Sequence, residues 1–405
     1  MQQLSLEGPL PLQVLSVLQF HTLRKPLLPN LTNLGLERIP GDSIPFIPLF
    51  LSTRTTKVLI TFHDLDLHKV AAASMIATLP KLCPNLGQIS LSCLPRDPII
   101  TFAVSELVLT ANQNILQHFY VESPLTEEAR EVIYKLPALL GLWTVVGGPH
   151  SLPTVELPNL THIVIDYDHN HDWLQGFRQA SLGRLAMVTV RPISESIGDF
   201  LGAFESVAVT TTIPVTLSTF EFITDRPWTP SYRSLLPFTQ LTYLVVESSC
   251  KPSCTSTIDD DTIADLARAI PKLETLHLGG RPCETPAGVT VKGLAALAHY
   301  CPHLSDLVIH FQVASLDPPE IPRLAFDGEP ATSQEVCTLK TLHVGKIRVQ
   351  EGSMLMIVLT LLNVFPHLEG ITSSDIGWEG VSEAISDSKQ LARCSSKSIF
   401  ICTSG

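Results

Sequence analysis

Residues Asp259 to Gly280 read Asp-Asp-Asp-Thr-Ile-Ala-Asp-Leu-Ala-Arg-Ala-Ile-Pro-Lys-Leu-Glu-Thr-Leu-His-Leu-Gly-Gly. The three leading aspartates can accept the orphan amide hydrogens that open a helix. Ile263, Leu266, Ala267 and Ile270 then stand at i, i+3, i+4 and i+7, one face of that helix. Pro271 has no amide hydrogen to donate and stops it. The phrase Leu273-Glu-Thr-Leu276-His-Leu278 follows, and its last residues alternate apolar and polar as a short strand does. Gly279 and Gly280 turn the chain away. The next stretch repeats the order, with Thr290 as cap, Leu294, Leu297 and Ala298 as the apolar face, Pro302 as stop and Leu304-Ser-Asp-Leu307-Val-Ile309 as strand. An earlier copy has Thr126 before Glu127 and Glu128, the face Ala129, Val132, Ile133 and Leu136, the stop Pro137 and a strand opened by Leu139-Leu-Gly-Leu142.

The strand phrase, apolar-x-x-apolar-x-apolar, recurs along nearly the whole chain. It stands at Leu31/Leu34/Leu36, Leu86/Ile89/Leu91, Leu116/Phe119/Val121, Leu160/Ile163/Ile165, Leu185/Val188/Val190, Leu217/Phe220/Phe222, Leu241/Leu244/Val246 and Leu339/Leu342/Val344, besides the two copies quoted above. Weaker copies lie near Val58 and Ile60, at Leu139/Leu142 and at Leu368/Ile371, and Met1/Leu4/Leu6 also fits. Pro29, Pro84, Pro137, Pro158, Pro271, Pro302 and Pro366 stand one or two residues before it, a coincidence that apolar richness alone does not produce. One such repeat buries a strand and a helix face only partly, so stacked copies complete the burial. Strands pack about 4.8 Å apart and helices about 8–10 Å apart. The expected fold is therefore an α/β solenoid, a horseshoe with a concave parallel sheet and convex helices. The expected division is a solenoid over residues 1–375 and a terminal helix with a frayed tail over 376–405. The helix is expected from Trp378 to Leu391, with Ala392 to Gly405 frayed. Pro40 to Pro48, Ser249 to Thr257 and Leu316 to Glu329 read as short insertions.

The roughly twelve steps from Leu31 to Leu368 average about 28 residues, within the ~20–29 residues of leucine-rich repeats. The units resemble leucine-rich repeats of the ribonuclease-inhibitor-like kind, and the Pro-x-Leu-x-x-Leu-x-Leu phrasing resembles the repeat arrays of mushroom-type fungal F-box proteins. The resemblance implies a non-enzymatic protein-recognition scaffold, the substrate-recognition part of an F-box-like Skp–cullin ubiquitin ligase subunit. No F-box is visible, since residues 1–30 already read as repeat, so a Skp-type adaptor is expected as partner only if an F-box lies upstream. Two other readings stay open: a regulatory repeat scaffold such as a GTPase-activating protein, and a repeat-only binding module unrelated to ubiquitination.

Composition narrows the classes. Lys and Arg number 27 against 39 Asp and Glu, a net charge of −12, which argues against nucleic-acid or anionic-membrane binding because both need a basic surface. The nine cysteines are scattered. Cys83, Cys301 and Cys337 stand beside the strand phrase, where a small buried hydrophobe fits. That usage, with no secretion signal, points to the cytoplasm or nucleus. The longest apolar run, Met354 to Val364, is about half the ~20 residues a membrane span needs and reads as a repeat helix.

Strand residues that do not point inward are free to face a partner. Those expected to do so are His118, Tyr120, Glu122, Trp143, His162, Asp166, Arg191, Tyr243, Glu247, His277, Asp306, His310 and His343. Tyr, Trp and Arg most often carry energy at protein interfaces. No catalytic, cofactor-binding or metal-binding residues are expected: no phosphate-binding glycine loop, dinucleotide fingerprint, paired-histidine zinc helix or nucleophile elbow occurs. Asp166-Tyr-Asp168-His169-Asn-His171-Asp172 is the one metal-like cluster and reads as a solvated turn. Cys250 and Cys254 have no partnering pair at zinc-site spacing. The sequons at Asn30 and Asn159 fall inside the strand phrase and are discounted.

Overall fold

The computed structural model describes residues 2–8, 13, 16–17, 26–146, 157–167, 184–192, 204–205, 216–224, 232–248, 258–279, 288–311, 336–344, 354–373 and 378–398. The chain forms two compact units, residues 1–196 with 207–216, and residues 197–206 with 217–405.

In the first unit the strands are β1 (Gln2–Glu7), β2 (Leu31–Pro40), β3 (Lys57–His63), β4 (Gln88–Ser92), β5 (His118–Pro124), β6 (Gly141–Val146), β7 (His162–Tyr167) and β8 (Met187–Pro192). Each pairs in parallel with the next in chain order. Parallel neighbours need a crossover, supplied by helices α1 (Lys69–Leu82), α2 (Pro98–Thr110) and α3 (Glu127–Ile133). Between β2 and β3 the crossover is the 3-10 helix Gly41–Phe50, which buries Ile44, Ile47 and Phe50. Pro40 to Pro48 is thus the repeat's own crossover and not an insertion; Pro45 and Pro48 lack the amide hydrogens a longer α-helix would use.

The second unit holds β9 (Thr219–Thr224), β10 (Tyr243–Ser248), β11 (Thr275–Leu278), β12 (Asp306–Ile309), β13 (Thr341–Val344) and β14 (Gly370–Ser373), again parallel in chain order. Helices α4 (Asp260–Ala269), α5 (Val291–Tyr300) and α6 (Met354–Val364) cross between them, and α7 (Trp378–Ser398) follows β14. The helix expected to end at Leu391 therefore runs on to Ser398, and residues 399–405 lie outside the described residues. Trp378, Val381 and Ile385 form its buried stripe. Ser382 Oγ accepts the Ile371 amide hydrogen at 3.3 Å, so α7 covers a donor at the outer side of β14.

The comb of leucines is the core. Leu34, Val58, Ile89, Phe119, Leu142, Ile163 and Val188 are register partners from β2 to β8, none more than 2% exposed. Phe220, Leu244, Leu276, Leu307 and Leu342 form the same column in the second unit, all at 0%. The weak copy near Val58 has its explanation in Thr55. It occupies the first apolar position, is fully buried, and donates its hydroxyl to Leu31 O at 3.1 Å.

Polar bonds between consecutive repeats recur beside that column. Thr32, Thr56, Thr161, Thr242 and Ser305 each send a hydroxyl to a carbonyl of the preceding repeat, at 3.0, 3.3, 2.9, 3.3 and 3.0 Å. Asn85 and Asn159 donate their side-chain amides to Thr53 O and Pro137 O at 3.0 and 2.9 Å. The Asn159 sequon is thus engaged in repeat stacking. The helix starts are joined in the same way. Asp259 caps α4 through Thr262 N at 2.8 Å. Asp260 reaches to the start of α5, where its Oδ1 accepts from Thr290 N at 2.7 Å and Gly293 N at 2.9 Å. A Cβ at Gly293 would lie 2.6 Å from that oxygen, so the approach requires glycine. Two face assignments differ from expectation. Val132 lies half-exposed on the flank of the short α3, whose buried residues are Ala129, Arg130 and Ile133, and Leu136 is buried beyond its end. Ala298 is only half-buried, one turn position past the Gly293–Leu297 stripe.

Leu276→Ala leaves a hole between two neighbouring strands and is expected to cost about 2–5 kcal/mol in urea unfolding; a loss under about 1 kcal/mol would contradict the column. Burial pushes the Cys83 thiol up to about 11 and the Cys301 thiol up to about 12. Alkylation at mildly alkaline pH followed by peptide mapping is therefore expected to mark exposed Cys93 and to spare Cys83, Cys301 and Cys337 until denaturant is added.

Candidate functional site

Because side chains alternate along a strand, the residues between the buried columns line one exposed face of each sheet. In β5, Phe119 and Val121 point inward while His118, Tyr120 and Glu122 do not. All thirteen residues expected on this face lie within the described residues, on or directly after the strands.

In the first unit they meet around β5 to β8. His118 Nδ1 lies 3.2 Å from the Tyr120 hydroxyl. Tyr120 and Trp143 are register partners, and the Arg191 guanidinium stacks over the Trp143 ring at 5.0 Å. Asp166 and Arg191 are register partners on β7 and β8. The pair His118–Tyr120 exists only because Gly141 is beside it: a Cβ there would lie 2.1 Å from the Tyr120 hydroxyl and 2.7 Å from His118 Nδ1. Asp166 was expected to be exposed and is instead 9% exposed. Burial pushes its carboxyl up, against the pull of Trp143 and Arg191. The Trp143 indole N–H and Asp166 Oδ1 are both shut off from solvent, yet they do not meet hydrogen-bond geometry. Glu122 serves the fold: it accepts the Cys93 amide hydrogen at 2.6 Å, where Cys93 sits in a left-handed turn at φ 61°. His162 contacts Thr161 Oγ1 at 2.7 Å.

A second feature of this face escaped the sequence reading. Gln3, Ser5, Gly35, Lys57, Leu59 and Ser90 line a hollow of about 360 Å³ over β1 to β4. Its floor is low because Ser5, Gly35 and Ser90 are small at the position where Tyr120 and Trp143 stand farther along, and small residues carry no apolar or charged signal of their own.

In the second unit Glu247, His277, Asp306 and His343 form one connected polar network. His277 bridges two strands: its Nε2 is 3.0 Å from Asp306 Oδ2 and its Nδ1 is 3.8 Å from Glu247 Oε1. His343 Nε2 lies 3.5 Å from Asp306 Oδ1, and His343 Nδ1 contacts the Thr372 hydroxyl. The Tyr243 and His277 rings stand 6.4 Å apart. Burial pushes the Tyr243 phenol up, and the charges of Glu221, Asp306 and Glu247 push it the same way. His310 packs beside Gly279, at φ 115°, where a Cβ would come within 2.9 Å of the imidazole. Glu221 belongs to the same face although it was not expected there. It stands between Phe220 and Phe222 as His277 stands between Leu276 and Leu278, so the same rule would have found it.

Among the described residues no group of three or more His, Cys, Asp or Glu is arranged to hold a metal ion. Of the metal-like turn, Asp166 belongs to β7 and 168–172 lie outside the described residues, as do Cys250 and Cys254. No helix among the described residues is long and apolar enough to cross a membrane. No protein-family model matches the chain. No curated protein matches it either.

His118 gives this face a pH signature. Burial, aided by the charges of His162 and Lys57, holds its pKa below the ordinary 6.5. The unfolded chain then binds the proton first, so this contribution to stability is intact above about 6.5 and is lost as pH falls below it. Melting temperatures between neutral and mildly acidic pH are expected to fall more steeply for the native chain than for His118→Gln. Parallel profiles would refute the assignment.

Proposed function

We propose that the chain is a leucine-rich-repeat solenoid, ribonuclease-inhibitor-like in kind, acting as a non-enzymatic scaffold that recognises a protein on the concave strand face. The observation that carries this reading is the division of labour within the strands. From β2 to β14 the central inward position is apolar and buried, while the outward positions include aromatic, imidazole and carboxylate groups. Buried columns hold the stack whatever the outward residues are, so the outward positions are the ones available for a ligand. Tyr120, Trp143 and Arg191 in the first unit, and Tyr243 in the second, are of the types that dominate interface energetics.

The finer assignment, substrate recognition within a Skp–cullin ubiquitin ligase, rests on the resemblance of the phrasing to fungal F-box repeat arrays. It separates experimentally from the recognition role: co-purification with a Skp-type adaptor tests the ligase half, and partner binding by the strands tests the scaffold half. A GTPase-activating role would draw on Arg191, whose guanidinium is stacked on Trp143.

A protein partner, once isolated with the full chain, is expected to be lost from Tyr120→Ala/Trp143→Ala or from Tyr243→Ala/His277→Ala, each costing about 2 kcal/mol or more. Glu127→Ala/Glu128→Ala, on the exposed side of α3, is expected to leave binding unchanged. Loss through the helix pair with both strand pairs silent would move the site to the convex layer and end this reading.

A further inference from the structure

We infer that the strand face of the second unit receives a basic protein segment, with a lysine or arginine side chain seated among Glu221, Glu247 and Asp306 beside the Tyr243 ring. The inference rests on the recognition reading above and adds the chemistry of the partner. It begins from the composition of a whole sheet face. Across β9 to β14 there is no lysine or arginine, while Glu221, Glu247 and Asp306 supply three carboxylates. The strands of the first unit differ: Arg38, Lys57 and Arg191 stand among Glu7, Glu37, Glu122 and Asp166.

The geometry links two of the carboxylates through one imidazole and sets the third on a nearby strand. Glu221 pairs in register with Val245, and Val245 with His277, so β9, β10 and β11 bring Glu221 and His277 to the same level of the face. One imidazole, His277, touches both Glu247 and Asp306. The groups facing this spot from the packed strands are Glu221 from β9, Tyr243 and Glu247 from β10, His277 from β11, Asp306 from β12 and His343 from β13. The Tyr243 phenol is pushed up by burial and then by all three carboxylates, which fits a shared field of negative potential. A side-chain cation supplies the opposite charge that these strands lack and finds a π face on Tyr243. The remaining charge supplies long-range attraction to a basic segment.

Fluorescence anisotropy of the full chain with three labelled peptides, identical except that the cationic positions are Arg, Gln or Glu, tests this. The Arg peptide is expected to bind, more weakly as salt rises, and the Gln and Glu peptides at least about tenfold less tightly. Glu247→Gln with Asp306→Asn is expected to weaken Arg-peptide binding about tenfold. Glu127→Gln with Glu128→Gln makes the same charge change on exposed α3 residues and is expected to change it less than about twofold. Equal losses from the two pairs would mean that only net charge is read and would overturn the inference, as would equal affinity for the three peptides. Should the strand pair lower the melting temperature, Thr341→Lys replaces it under the same criterion. It sets a cation next to Asp306, its register partner, and removes no carboxylate. A protein partner released by Tyr120→Ala/Trp143→Ala and indifferent to Thr341→Lys would leave the recognition reading standing and remove this one.

Discussion

Leu276 is buried because Leu244 and Leu307 lie against it from the two neighbouring strands, in register and in parallel. No residue of its own repeat could do this alone. A strand and a helix each turn one apolar side to the core, and a single copy leaves most of that area wet. The stack is therefore the smallest thing that folds, and every later feature depends on the neighbour arriving in register. A slip by one residue would turn Leu276 outward and His277 inward, burying an imidazole where a methyl group belongs.

The polar bonds between repeats follow from that register and then enforce it. A threonine or serine placed just after the first buried position reaches the preceding carbonyl along much of the array, from Thr32 to Ser305. Asp260 does the same between helices, leaving its own helix to Asp259 and satisfying the start of the next one. These groups would otherwise be donors and acceptors at the margin of an apolar core, each costly to leave unpaired. The cysteines fit the same margin: Cys301 and Cys337 direct their thiols at carbonyls of the repeat before.

The outward face is free of these demands, and its character changes between the two units. In the first, an aromatic group is held by a glycine that makes room for it and by an arginine laid on it. In the second, carboxylates and imidazoles stand on neighbouring strands with no lysine or arginine among the strand residues. Not every residue there is available. Glu122 holds a left-handed turn, and Asp166 is sunk beside Trp143. Exposure on a strand diagram is thus a weaker statement than exposure to a partner.

Local pattern sufficed for the repeat, the alternation of strand and crossover, the caps at Asp259, Thr126 and Thr290, and the identity of the inward column, because each rests on spacings of a few residues. The same reasoning failed where a segment was unusual: the 3-10 crossover after β2 looked like an insertion. Thr55 only weakened a strand copy, by setting a hydroxyl at its first apolar position. What the sequence could not contain was which outward groups meet. His277 finds Asp306 across 29 residues, Glu122 finds Cys93 across 29, and Asp260 finds Gly293 across 33. Period and polarity alone determined that there would be two faces. Only the stacked structure, by setting the lateral register of one repeat on the next, decided which side chains became neighbours on the open one.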